Sequence, residues 1–208
     1  MSEPLKMPTR PPSPAPVSEG SALPLMETRR VRLRALRDSD FPFLYRLLTS
    51  PEAGGRVRYA GATTSPEKVA CSLWESVLAQ FVLEAVGSGE AVGLVAITSP
   101  NFRDGYAYVS ALATPEVQGM GLALEGVLLG FHYAFSTWPL RKVYMEATED
   151  SYRQFAGGLG VFFVEEGCLQ QHAFWNGRYV DLKILAVYRE RWQSHAERML
   201  RRLSPADG

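Results

Sequence analysis

A chain of 208 residues with 46% hydrophobic and 21% charged side chains has room for one domain with a sizeable core and is short for two. Its formal net charge of zero argues against a general nucleic-acid binder, and the lack of an eighteen-residue apolar run argues against a membrane span. Met1 to Pro16 has no apolar core of the signal-peptide kind, and Cys71 and Cys168 stand far apart without metal-ligand spacing; a reduced, cytoplasmic protein with no metal is the expectation.

Residues 1–25 hold seven of the fourteen prolines, mixed with Ser, Ala and Glu. Such a stretch buries too little apolar surface to offset the entropy of ordering, so a disordered arm is predicted, followed by a domain over residues 26–194 and a basic tail over 195–208. Val31, Leu33 and Ala35 then alternate with arginines at strand spacing, and Asp38, Ser39 and Asp40 offer N-cap oxygens to a helix carrying Phe41, Leu44, Leu47 and Leu48. The arginines of this strand read as a solvated face. A second helix is predicted from Ser65 to about Ala79, with Pro66 at the favoured first position. "QFVLEAV" and "AVGLVAITS" read as a hairpin, and "YAYVSALATP" as the next strand. That strand runs into "TPEVQGMGLALEGVLLGFHYAF", a glycine-bearing turn and an apolar helix that stops at Trp138-Pro139. "RKVYMEAT" is a further strand, a weak helix follows, and "CLQQHAFW" and "RYVDLKILAVY" flank Asn176-Gly177, a strong hairpin signal. Arg189 to Arg202 reads as helical. The order predicts an α+β chain with a mixed, mostly antiparallel sheet flanked by helices.

Glycine costs a helix about 1 kcal/mol relative to alanine, so Gly119 and Gly121 at a helix start need a reason. The first N–H groups of a helix lack partners and face the positive end of its dipole, and glycine lets a phosphate approach them without meeting a Cβ. The alternative is plain turn chemistry or close helix packing. A Walker loop is excluded because Leu122-Ala123 follows Gly121, and Gly126 misses the third glycine of a dinucleotide fingerprint by two positions.

Gln118, Gly121 and Ala123 match the Gln/Arg-x-x-Gly-x-Gly/Ala signature of the GNAT acyltransferase superfamily, which the chain resembles over roughly residues 28 to 193. "VRLRALRDSDFPFLYRL", "PEVQGMGLALEGVLLGFHYAF", "LRKVYMEATED" and "FFVEEGCLQQHAFWNGRYVDLKILAV", the last with Glu166-Gly167 and Asp181, resemble in order the branch that includes the ribosomal-protein N-terminal acetyltransferases. The resemblance implies a GNAT-like sheet with acetyl-CoA or another acyl-CoA in a V-shaped split between the fourth and fifth strands. It places the backbone N–H groups of Gln118, Gly119, Met120, Gly121, Leu122 and Ala123 on the diphosphate, and Leu112 with Ala113 at the thioester. It also implies direct transfer: a neutral amine attacks the thioester carbonyl, a base or water chain takes its proton, a fourth-strand N–H polarises the carbonyl, and an acid protonates the departing thiolate.

The chain departs from that pattern after the fifth strand. In register, Ser151 takes the place of the family's Asn, Phe163 falls on its Phe, and Gly158 stands where the thiolate-protonating Tyr is expected. Tyr152 is a substitute acid from another position, and a thiolate can also leave unassisted, its thiol pKa being about 8.5. Glu146 reads either as the base or as a solvated strand carboxylate, and Ser110 and Tyr108 either as holders of a water chain or as sheet surface. Tyr108, His172 and Trp175 are the acceptor-pocket residues, with ordinary sheet cover as the alternative, and His132 reads as a structural histidine. The expected function is acyl-CoA-dependent N-acyl transfer, most simply of acetyl to a primary amine. A small amine is favoured over a protein N-terminus by the altered segment Ser151 to Gly160. An acyl-CoA-binding protein without transfer, or a carrier-protein-dependent transferase, is the rival. The eighteen Arg against four Lys, with Arg189, Arg191, Arg198, Arg201 and Arg202 near the end, suit an acidic carrier protein or plain solubility, and a homodimer is left open.

Overall fold

A computed structural model describes residues 26–50, 64–155, 162–175 and 177–204, so the expected arm over 1–25 and Gly158 lie outside the described residues. The strands are β1 (Val31–Arg34), β2 (Val77–Ala85), β3 (Ala91–Asn101), β4 (Tyr106–Ala113), β5 (Lys142–Thr148), β6 (Phe163–Trp175) and β7 (Arg178–Tyr188). The helices are α1 (Phe41–Thr49) and α2 (Pro66–Ser72), both between β1 and β2, α3 (Leu122–Thr137) after β4, α4 (Glu149–Phe155) after β5, and α5 (Arg189–Leu203) at the end. One seven-stranded sheet has the order β1-β2-β3-β4-β5-β7-β6, and β4 with β5 is its parallel pair, joined by the crossover helix α3. The α+β expectation and the mostly antiparallel sheet are what the structure shows. Among the described residues, no helix is long and apolar enough to cross a membrane.

The core lies between one sheet face and α3 with α5, where the rings of Phe131, Phe135, Phe162, Phe163 and Trp192 meet edge to face or tilted. Apolar burial of this kind contributes about 25 cal/mol per Å² and is the main term holding α3 on the sheet. On the opposite face, Leu44 and Leu47 of α1 cover Leu94, with Leu73 and Leu112 packed at the edge of the same cluster.

Three local expectations are corrected. The second helix ends at Ser72, because Val77 already pairs with Thr98 and the sheet captures the segment that was read as helix to Ala79. Asp40 does not cap α1 through its side chain; both its oxygens accept from Arg34, at 2.7 and 2.9 Å, a bidentate pair stronger than a neutral cap. The arginines at and before β1 are exposed at Arg29, Arg30 and Arg32, as a solvated face requires, and they are also paired: Arg34, the least exposed, bonds Glu84 at 2.6 Å, Arg32 bonds Glu27 at 2.6 Å, and Arg30 reaches Glu125 in α3. Finally, α5 runs unbroken across the 194–195 boundary, because Leu200 is buried on the same core as Trp192 and Arg29 donates to the carbonyls of Arg202 and Ser204.

Candidate active site

The two parallel strands part company after three paired rows, Tyr106 with Lys142, Ala107 with Val143 and Tyr108 with Tyr144. Beyond that point β4 stays with β3 as far as Ala113, while β5 stays with β7 as far as Thr148. The result is a wedge whose walls are the unpaired edges of Val109–Ala113 and 145–148. In a regular strand the N–H and C=O of one residue point the same way, and neighbours point oppositely. Gly105 O accepts from Arg141 N and Lys142 N on the β5 side, whereas Thr114 N donates to Val92 O on the β3 side. Odd-numbered residues of β4 therefore face the wedge. The backbone groups aimed into it belong to Val109, Ala111 and Ala113, and the N–H expected at Leu112 points at β3 instead.

At the mouth of the wedge, a single turn over Pro115–Val117 leads into the glycines. Gly119 and Gly121 have φ of 77° and 78°, a left-handed backbone that other residues adopt only with strain. Of the N–H groups expected to cradle an anion, those of Gln118 and Met120 bond inside the turn, to Pro115 O and Val117 O. The first helical bond of α3 runs from Glu125 N to Gly121 O, so the N–H groups of Gly119, Gly121, Leu122, Ala123 and Leu124 have no protein acceptor among the described residues. A Cβ on Gly119 would meet no atom within 4 Å, so the space beside the turn is open. The residues present fit a diphosphate: several N–H donors at a helix start stand without acceptors among the described residues, with open space beside Gly119 and the Arg30 guanidinium close to Gly121.

Behind the turn stands a buried carboxylate. Glu125, in the first turn of α3 and 6% exposed, accepts from Thr28 Oγ1 at 2.6 Å and from Arg30 Nε at 2.7 Å. Arg30 Nη1 in turn donates to the carbonyl of Met120 at 3.0 Å.

Along the sheet face opposite α3, Tyr106, Tyr108 and Tyr144 form a cluster with ring centroids 5.2 to 6.3 Å apart. Burial raises the pKa of Tyr108, and the negative charge of Glu146 raises it further. Glu146 is exposed on β5 just past the last paired row and makes no hydrogen bond or ion pair among the described residues; Ser110 is exposed on β4 on the same face. Glu166 behaves differently. It is the extra residue of a β-bulge, lying between the paired rows of Glu165 and Gly167, which turns its side chain towards β5. There it accepts from Lys142 at 2.7 and 3.0 Å, from Tyr144 at 2.8 Å and from Tyr188. Burial disfavours its charge, yet these donors outweigh that and hold its carboxyl down at about 2. Burial likewise opposes the charge of Lys142, and Glu166 outweighs it, so the ammonium pKa is raised. The saturated Glu166 fixes Tyr144, whereas Glu146 has no such partners among the described residues.

The remaining expected site residues are scattered. Ser151 is half-buried in α4. Tyr152 donates its hydroxyl to Glu165 at 2.8 Å, and that bond raises its pKa. His172 and Trp175 sit on the part of the β6–β7 hairpin that projects past Thr148, the end of β5. No hydrogen bond or ring contact joins them to Tyr108 or Glu146 among the described residues. Sequence reasoning gave Glu166 no role and missed the Arg30–Glu125 pair. Glu125 did leave a signal, as a lone acid among apolar residues early in a helix.

Known proteins share the family and the fold. Residues 30–154 match the family model described as an acetyltransferase (GNAT) domain. A spermidine N(1)-acetyltransferase of Vibrio cholerae is 28% identical over 118 residues, 57% of this chain and 68% of that one. A spermidine N(1)-acetyltransferase of Escherichia coli is 27% identical over 113 residues, 54% of this chain and 60% of its own length. A crystal structure of spermidine N-acetyltransferase from Vibrio cholerae in complex with CoA and spermine superposes with a TM-score of 0.66 at 24% identity, covering 78% of this chain and 98% of the other, and so shares the fold. The relatives found are thus spermidine acetyltransferases, not specifically the ribosomal-protein branch that the motifs resembled. With the family model covering more than half of its residues, the chain belongs to the GNAT acetyltransferases.

Proposed function

We propose that this protein transfers the acetyl group of acetyl-CoA to a primary amine of a small, multiply charged molecule of the polyamine class. The observation that carries the reading is the parting of β4 and β5 with the left-handed glycine turn at its mouth and an aromatic, acidic face beside it. Spermidine acetylation by the relatives in Vibrio cholerae and Escherichia coli supports the choice of acceptor.

Acetyl-CoA supplies the activated thioester; the chain's own residues bind, orient and move protons. The free N–H groups from Gly119 to Leu124 would hold the diphosphate, and the unpaired edge of Val109 to Ala113 would take the pantetheine arm. The N–H of Ala111 or Val109, aimed into the wedge, polarises the carbonyl. Glu146, directly or through a water held with Ser110, takes the proton of the attacking amine. Tyr108 offers its ring to the acceptor's other ammonium groups, a cation–π contact near the Glu146 carboxylate, whereas the ring of Tyr144 already carries Lys142 Nζ at 4.5 Å from its centroid. Tyr152 is a poor acid, since its hydroxyl is engaged by Glu165 and its pKa is raised; we assign no acid among the described residues, and a thiolate with a thiol pKa of about 8.5 can leave unassisted.

The test is release of free CoA with acetyl-CoA and a panel of spermidine, spermine, diamines, monoamines, an aminoglycoside and a peptide N-terminus. The polyamines are expected to give the highest kcat/KM, and Glu146→Gln is expected to lower kcat about a hundredfold or more. Acetyl-CoA binding with no amine-dependent release across the panel would leave a binding protein without transferase activity.

A further inference from the structure

Arg30 belongs to no part of the transfer chemistry above, yet it is the side chain nearest the glycine turn. Its guanidinium Nη2 stands 3.1 Å from where a Cβ on Gly121 would be. The group is held from both ends: Nε bonds Glu125 at 2.7 Å, Glu125 is itself fixed by Thr28 at 2.6 Å, and Nη1 bonds the Met120 carbonyl at 3.0 Å. Half of the side chain, 51%, remains exposed.

The bond to Met120 has a geometric consequence. In a trans peptide the carbonyl and the following N–H point in opposite directions. With the Met120 carbonyl held against Arg30, the Gly121 N–H must point away from Arg30. Met120 lies between two left-handed glycines, the backbone most able to rotate this peptide plane. A flipped Met120–Gly121 peptide would aim a carbonyl oxygen, in place of an N–H, at any anion on the turn.

We propose that Arg30, anchored by Glu125 and Thr28, is a positioning residue for the cofactor: it locks the Met120–Gly121 peptide in the anion-binding orientation. The inference rests on the assignment of the diphosphate to the glycine turn. Arg30 acts through the backbone, so its loss weakens cofactor binding and leaves the chemical step alone.

The experiment is calorimetric titration of the full chain and of Arg30→Gln and Arg30→Lys with CoA and with dephospho-CoA, together with steady-state kinetics. Arg30→Gln is expected to raise the Kd for CoA about tenfold to a hundredfold, the range for loss of a charge-assisted hydrogen bond. The loss should be the same with dephospho-CoA, because the locked peptide serves the diphosphate and not the distal phosphate. KM for acetyl-CoA should rise in step, with kcat and the KM for the amine within about twofold of wild type, and Arg30→Lys should recover part of the affinity. Should Arg30→Gln fail to fold, Glu125→Gln, which weakens the anchor and keeps Arg30, is expected to raise Kd in the same sense. Unchanged CoA affinity in folded Arg30 variants, or a fall in kcat with KM unmoved, overturns the lock. A loss confined to CoA and absent with dephospho-CoA overturns it in favour of a contact to the distal phosphate. If the wild-type chain itself binds neither ligand, the cofactor assignment fails and the lock with it.

Discussion

At the scale of single residues, Gly119 and Gly121 carry the clearest test of the anion cradle. An L-residue in the left-handed region costs about 1–2 kcal/mol, so Gly119→Ala and Gly121→Ala should each lose stability of that order in chemical denaturation. Their effects on binding should differ in origin. At Gly121 the new Cβ presses on Arg30, whereas at Gly119 it meets no protein atom and projects into the space assigned to the diphosphate. Gly119→Ala should therefore weaken CoA binding although nothing in the protein obstructs it. Glu166 gives a second residue-scale prediction. Its folded pKa of about 2 lies below the ordinary 4.5, so the stability it contributes is fully present above about 4.5 and is lost as pH falls towards 2. Unfolding free energies of wild type and Glu166→Gln should differ most above that window and converge at its acid end. A gap that stays constant through the acid limb would show that Lys142, Tyr144 and Tyr188 do not hold a carboxylate there.

At the scale of elements, the register of β3 on β4 depends on Gly93. A Cβ there would stand 2.4 Å from the Leu112 carbonyl oxygen, a backbone atom that cannot swing aside. Gly93→Ala should cost about 1–3 kcal/mol and disturb the end of β4 that lines the wedge, seen as lost stability with weaker CoA binding. Much of this level was legible in the sequence. The glycine turn, the strand before it and the helix after it are contiguous, and local chemistry marked all three. The Asn176-Gly177 hairpin was legible for the same reason, and Gly177 does take a positive φ of 76°. What escaped were contacts between distant segments: Arg30 and Glu125 stand 95 residues apart, and Lys142 and Glu166 24 apart. Nothing in the spacing of the β1 arginines distinguishes a solvated face from a ladder of ion pairs, because the partners lie on other elements. The direction of a backbone N–H in β4 likewise depends on which neighbour takes the first hydrogen bond.

At the scale of the whole molecule, α5 closes the core rather than trailing from it. Removing residues 195–208 would strip Leu200, Met199 and Leu203 from the aromatic cluster and leave Arg29 without its acceptors. Burying one such leucine contributes about 1.5–3 kcal/mol, so the shortened chain should unfold at a distinctly lower temperature. The same architecture explains how binding and chemistry are divided. The cofactor turn is fixed by the segment before β1 and by α3, whereas the acceptor face is built from β4, β5 and the bulge in β6, so the two halves of the site should be separable by mutation.

The most direct measurement is incubation of the full chain with acetyl-CoA and spermidine, following free thiol and the mass of the amine product together. Release of CoA in equal amount to monoacetylated spermidine, dependent on both reactants and lost in Glu146→Gln, is the predicted result. Bound acetyl-CoA that persists without acetylated product, at any polyamine concentration, would contradict the account.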